Sequence, residues 1–146
     1  MLTFRTPAVR AMAFGASLAF AAVVVPAAAA NAAVSGSVDI GETATLLARG
    51  AGVSVPVTVT CTSDLPLAYG YVNASITQRQ GQTLVQGSSS TQVRTCDGTP
   101  QAYTVVITGS RPFKAGEVVA SSTLEFCDAE YTCTSATTSK TIVITR

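Results

Sequence analysis

The chain has 146 residues, nine Lys/Arg against eight Asp/Glu for a formal charge of +1, 47% hydrophobic residues, and neither histidine nor tryptophan. Near-neutral charge leaves no electrostatic footprint for nucleic acid or an anionic membrane. The lack of histidine excludes Ser-His-Asp and Cys-His nucleophile systems and removes the commonest metal ligand, so any catalysis would fall to a carboxylate pair or a lysine.

The first element is a leader. Met1–Arg10 carries Arg5 and Arg10 and no acid, Ala11–Val25 is an unbroken run of apolar and small residues, and Pro26 ends it before the small-residue tail 27–33. A basic start, an apolar stretch of this length and an A-x-A site predict a signal peptide over residues 1–32. Cleavage is expected after Ala30-Asn31-Ala32, with Ala28-Ala29-Ala30 as the second site. The run falls short of the about 20 apolar residues a spanning helix needs. The product is expected to be secreted, with no membrane attachment, and residues 33–146 to form one domain. Arg5 and Arg10 leave with the leader, so the remaining chain is close to neutral.

Beyond Ala33 the apolar period is two. Ala44–Arg49 is expected to open the fold. Val53, Val55, Val57, Val59 and Cys61 alternate with Ser54, Pro56, Thr58 and Thr60, which predicts a strand with one buried face. Pro56 lacks an N–H, so this strand is expected at an edge or with a bulge. Tyr69–Gln80 alternates similarly, and Gly81-Gln82 turns it into Thr83–Cys96, expected to bulge at Gly87–Ser90. Asp97-Gly98-Thr99-Pro100 is a turn signal ahead of a strand over Ala102–Thr108. After a turn at Gly109–Gly116, Val118, Ala120, Ser122, Leu124 and Phe126 face one way. Thr132–Ser139 reads as a flexible Ser/Thr loop, and Lys140–Arg146 as the last strand. Six to eight short strands divided by turns predict an all-β antiparallel sandwich.

Cys61, Cys96, Cys127 and Cys133 allow three pairings. Alternating strands bring all four to one end, so direction excludes none. Cys127 falls in step with Ser121, Thr123 and Glu125 on the polar face, which argues against a buried bridge to Cys61. The expected pairs are Cys127–Cys133, a local staple, and Cys61–Cys96, joining two strand ends. Export and the lack of histidine favour disulfides over zinc.

Asp64, Asp97, Asp128 and Glu130 follow or lie between the cysteines and so belong to loops at the same end. Converging oxygens could hold calcium, and two carboxylates could flank a glycosidic bond. No D-x-D-x-D spacing appears, acids are ordinary turn formers, and Lys114 and Lys140 sit beside turns as solvated lysines. No metal, cofactor or catalytic residue is expected. Tyr69, Tyr71 and Tyr131 gather at the cysteine end, with Phe113 at the other. Tyr71 and Tyr103 are expected to cap the core, while Tyr131 joins Asp64, Asp97, Asp128 and Glu130 as the candidate binding end.

The stretches Pro56-Val57-Thr58-Val59-Thr60-Cys61, Ile76-Thr77-Gln78-Arg79, Thr95-Cys96-Asp97-Gly98-Thr99-Pro100-Gln101 and Phe113-Lys114-Ala115-Gly116, with the Cys127–Cys133 loop, carry a resemblance. The chain resembles small exported proteins common in actinobacteria. The resemblance implies an immunoglobulin-like sandwich of about seven strands and secretion, and supplies no activity. A more distant likeness is to neocarzinostatin-type apoproteins, through the alanine-rich leader, four cysteines and one tight late loop. It departs from them where Cys61 and Cys96 lie far apart and where Phe113 and Phe126 are the only phenylalanines after the expected leader. The expected function is non-catalytic binding of a protein, glycan or cell-envelope partner through the loop end. Carriage of a small ligand between the sheets is the alternative, and a carboxylate hydrolase the third reading.

Overall fold

Val53, Val55, Val57, Val59 and Cys61 are all buried, as their alternation requires, and lie on one face of β3 (Gly52–Thr62). The computed structural model describes residues 34–146; the predicted leader and its cleavage sites lie outside them. The other strands are β1 (Ser35–Ile40), β2 (Thr43–Leu47), β4 (Leu67–Gln80), β5 (Thr83–Gln92), β6 (Gln101–Thr108), β7 (Gly116–Asp128) and β8 (Cys133–Thr145).

β3 is hydrogen-bonded along both edges. β6 pairs with one, from Gly52↔Thr108 to Val59↔Gln101, and β1 with the outer half of the other, from Ile40↔Val57 to Ser35↔Thr62. The second layer is the antiparallel series β8-β7-β4-β5. β2 belongs to both layers: it runs antiparallel to β3 at Thr45↔Ser54 to Leu47↔Gly52 and parallel to β8 at Thr43↔Val143 to Thr45↔Thr145. Counting β1 and β2 as one divided strand gives seven, in an immunoglobulin-like sandwich. Ile40, Val72, Ile76, Ile107, Leu124, Phe126, Ile142 and Ile144 meet the β3 valines in one core. Full burial of each such side chain contributes about 1.5–3 kcal/mol. The one buried hydroxyl of β7, Ser122, donates to the Asn73 carbonyl at 3.0 Å.

Four expectations are corrected. β1 precedes the expected first strand; its two core residues, Val38 and Ile40, are too few for the period to stand out. Pro56 lies within an interior strand, at the point where β1 gives way to β2. Its carbonyl accepts the Gly41 N–H at 2.9 Å, and a Cβ on Gly41 would lie 2.6 Å from the proline ring. β5 has no bulge, its register against β4 being unbroken from Thr83 to Gln92. Gly87 instead admits the end of β6: it bridges Gly109, and a Cβ there would collide with the Thr108 carbonyl oxygen. Lastly, the Ser/Thr segment is the first half of β8, in continuous register with β7 from Cys127↔Cys133 onward. Its outward hydroxyls bond across the ladder, Thr123 to Thr137 at 3.2 Å, and β-branched threonine suits a half-exposed strand.

Adding a methyl at Gly87 must push β6 away from β5. Gly87→Ala is expected to lose about 1–3 kcal/mol in urea unfolding, whereas Val119→Ala on the exposed face should stay within about 0.5 kcal/mol. Equal, small losses would show that the approach of these strands is not tight.

Candidate functional site

One pole of the sandwich collects the β3–β4 loop, the segment between β5 and β6, and the β7–β8 turn. The structure pairs Cys61 with Cys96 and Cys127 with Cys133, as expected. In the loop-entropy account these closures are worth ~4 and ~2 kcal/mol. The first ties the end of β3 to the segment after β5, where Thr62 also bridges Asp97. The second crosses between paired strands, and Cys127 shares the outer face with Glu125, as alternation required. Cys127 is nonetheless buried.

All five candidate residues sit at this pole, in two different states. Asp64 and Asp97 are exposed on the loops beside the first disulfide. Asp97 Oδ1 accepts the Thr99 hydroxyl at 2.6 Å and the Thr99 N–H at 2.9 Å, closing the Asp-Gly turn. These bonds, the hydroxyl first, hold the Asp97 carboxyl below its ordinary 3.8. Stability from this group is therefore complete above pH 3.8 and is lost as pH falls through the lowered folded value.

Asp128 is not a surface acid. It is 1% exposed, and Oδ1 accepts the N–H groups of Glu130 and Thr132, both at 2.9 Å, while Oδ2 is buried with no protein partner. Its main-chain N–H donates to the Thr132 carbonyl at 3.1 Å, and its carbonyl accepts from Tyr131 at 3.0 Å. Ala129, Glu130 and Tyr131 thus form a three-residue hairpin loop with Tyr131 in the left-handed region, φ 59°. Asp128 is the frame of that loop. Glu130 and Tyr131 are what it displays, Tyr131 being 75% exposed.

Tyr71 does not cap the core. Tyr69 and Tyr71 lie on the outer face, 42% and 44% exposed, with ring centroids 6.3 Å apart. Register places Tyr69 beside Cys127 and Tyr71 beside Glu125. A shallow groove of about 450 Å³ follows, lined by Tyr69, Glu125, the second disulfide, Thr134 and Ser135. A shift of register between Leu67 and Tyr69 blurs the alternation near these tyrosines, and Glu125 shows its place only once β4 and β7 are known to pair. Tyr103 is half-buried against the core and donates its hydroxyl to Gln101 Oε1 at 2.6 Å. Among the described residues no three His, Cys, Asp or Glu side chains gather as a metal site.

No family model matches the chain, and no curated protein matches it. Among solved structures it is similar to the sporulation control protein Spo0M of Bacillus subtilis, at 12% identity and a TM-score of 0.37, over 78% of this chain and 50% of that one. The chain thus spans about half the length of that protein.

Because Asp128 satisfies two main-chain donors, Asp128→Ala leaves both without a partner. A loss of about 2–3 kcal/mol is expected by chemical denaturation, and Asp97→Ala, fully exposed, should cost clearly less. The reverse ordering would show that the hairpin does not depend on Asp128.

Proposed function

We propose that the chain is a secreted, non-catalytic binding module that engages a glycan of the cell envelope through its disulfide pole. The observation that carries this reading is Tyr131. The third residue of such a loop is ordinarily glycine, because a left-handed backbone costs an L-residue roughly 1–2 kcal/mol. Here that position holds a large aromatic side chain, 75% exposed, on a loop braced by a disulfide and a buried carboxylate. Strain retained under an exposed side chain supports a role for the side chain itself.

The neighbouring groove supports the partner class. A tyrosine ring presents a flat face to the C–H face of a sugar, and Glu125, Thr134 and Ser135 offer acceptors and donors for its hydroxyls. Two disulfides on a small β domain fit an oxidising, extracellular setting. Rigid tyrosines give contact area at small entropic cost.

Stability and binding should separate at Tyr131. Tyr131→Gly is expected to raise stability by about 0.5–1 kcal/mol, yet to weaken binding to purified envelope polysaccharide, measured calorimetrically, by about fivefold or more. Tyr69→Ala should weaken it comparably. Unchanged affinity in both variants would defeat the assignment to this pole. Capture of envelope proteins without polysaccharide would make the partner a protein.

A further inference from the structure

The opposite pole carries a second site, independent of the reading above. The end of β2, the turn at Ala48–Gly50, the β6–β7 loop and the end of β8 enclose an open pocket of about 630 Å³. Its lining is Leu46, Phe113 and Ala115 together with three cationic side chains, Arg49, Lys114 and Arg146. Among the described residues no Asp or Glu lines it. The ion pairs found among these residues belong to Lys140, with Glu42 at 2.7 Å and Asp39 at 3.3 Å, so the three pocket cations have no Asp or Glu carboxylate within pairing distance.

The walls are held by more than surface chance. Gln78 is 3% exposed, and its side-chain amide imitates a peptide group: Nε2 donates to the Lys114 carbonyl at 2.7 Å and Oε1 accepts the Lys114 N–H at 2.8 Å. Gln80 Nε2 donates to Gln78 Oε1 at 2.8 Å and to the Pro112 carbonyl at 3.0 Å. The Phe113 N–H donates to the Gly50 carbonyl at 2.8 Å, locking the loop to the turn. In that turn Ala48 and Arg49 both have left-handed backbones, φ 43° and 59°, and Arg49 is thereby directed to the pocket at a conformational cost. Lys114 is thus a solvated lysine only in its head group; its main chain is fixed on both sides.

Cations without an Asp or Glu partner, on a braced rim over an aliphatic floor of Leu46 and Ala115 with the core residue Phe113 beneath, suit a ligand with a negative head and an apolar body. We propose that this pole binds a small organic anion, a carboxylate or sulfonate on an aromatic or aliphatic body, with Arg49 and Lys114 holding the anionic group and Leu46 and Ala115 facing the body. A bare inorganic anion would leave the apolar floor unused.

Anilinonaphthalene sulfonate is the probe, with uncharged phenylnaphthylamine as its neutral counterpart, titrated into the purified protein. Saturable binding of the sulfonate is expected, about tenfold tighter than the neutral compound. Amide chemical-shift changes should centre on Leu46, Arg49 and Phe113–Ala115. Arg49→Gln and Lys114→Gln, with melting temperatures kept, should each weaken binding about fivefold or more. Equal affinity for the neutral compound would overturn the proposal. So would competition by inorganic phosphate at equal affinity, or shifts centred on Tyr69 and Tyr131. Should either variant fail to fold, the shift map of the unaltered protein decides.

Discussion

The missing N–H of Pro56 is the constraint around which the two layers are joined. In an extended strand the N–H and C=O of one residue point to the same edge, and the Pro56 carbonyl points to the edge occupied by the first strands. That edge has an acceptor and no donor at the very centre of β3. β1 pairs up to Val57 and β2 resumes at Ser54, so the chain steps sideways where the ladder cannot continue. The step carries β2 against β8, and one divided strand closes the sandwich along this side. Lys140, bonded to Asp39 and Glu42, clasps the crossover from β8, and Glu42 above all raises its pKa above the usual 10.5. Exposed pairs of this kind contribute about 1 kcal/mol at most.

With the layers joined in this way, the two poles are braced by different chemistry. At one, covalent bridges fix the loops, and a buried carboxylate frames the one whose tip bears Tyr131. At the other, the side-chain amides of Gln78 and Gln80 extend the hydrogen-bonding surface of β4 out to the β6–β7 loop, standing in for a strand that is not there. Both devices leave main-chain groups satisfied in segments outside regular pairing, which is the condition for an ordered loop.

Much of this was legible in the sequence. Two-residue periodicity located β3, β4, β6 and β7, because each buries one face, and the facing of Cys127 was enough to select the disulfide pairing. The reading failed where one residue serves a distant partner. Gly87 looks like a bulge until the end of β6 is seen against it, and the proline of β3 looks like an edge until the strand change is known. Thr132–Ser139 looked like a loop because hydroxyl-rich composition hides a strand whose inner face is covered only by its neighbours. Asp128 was grouped with Asp64 and Asp97 as a surface acid, although its carboxylate is turned inward to its own hairpin. Gln78 continues the inward register of Val72, Ala74 and Ile76, so its burial follows from the alternation, but nothing local showed that its amide clamps the main chain of Lys114. Arg49, Lys114 and Arg146 are far apart in sequence, so only the parallel pairing of β2 with β8 and the docking of the β6–β7 loop gather them.

The same parallel pairing has a mechanical consequence. The chain comes into the described fold at Val34, at the disulfide pole, and reaches Arg146 at the other, with β1 and β8 both running lengthwise between them. Tension between these two points pulls β1 along β3 and β8 along β2 and β7, so each ladder is sheared and its hydrogen bonds must yield together. Pulled apart at the pole opposite the disulfides, the β7–β8 hairpin would open bond by bond from Gly116↔Ile144, and the Cys127–Cys133 bridge beside the turn would be reached only at the last step. For a pull along the long axis, these ladders are loaded in shear rather than in peeling.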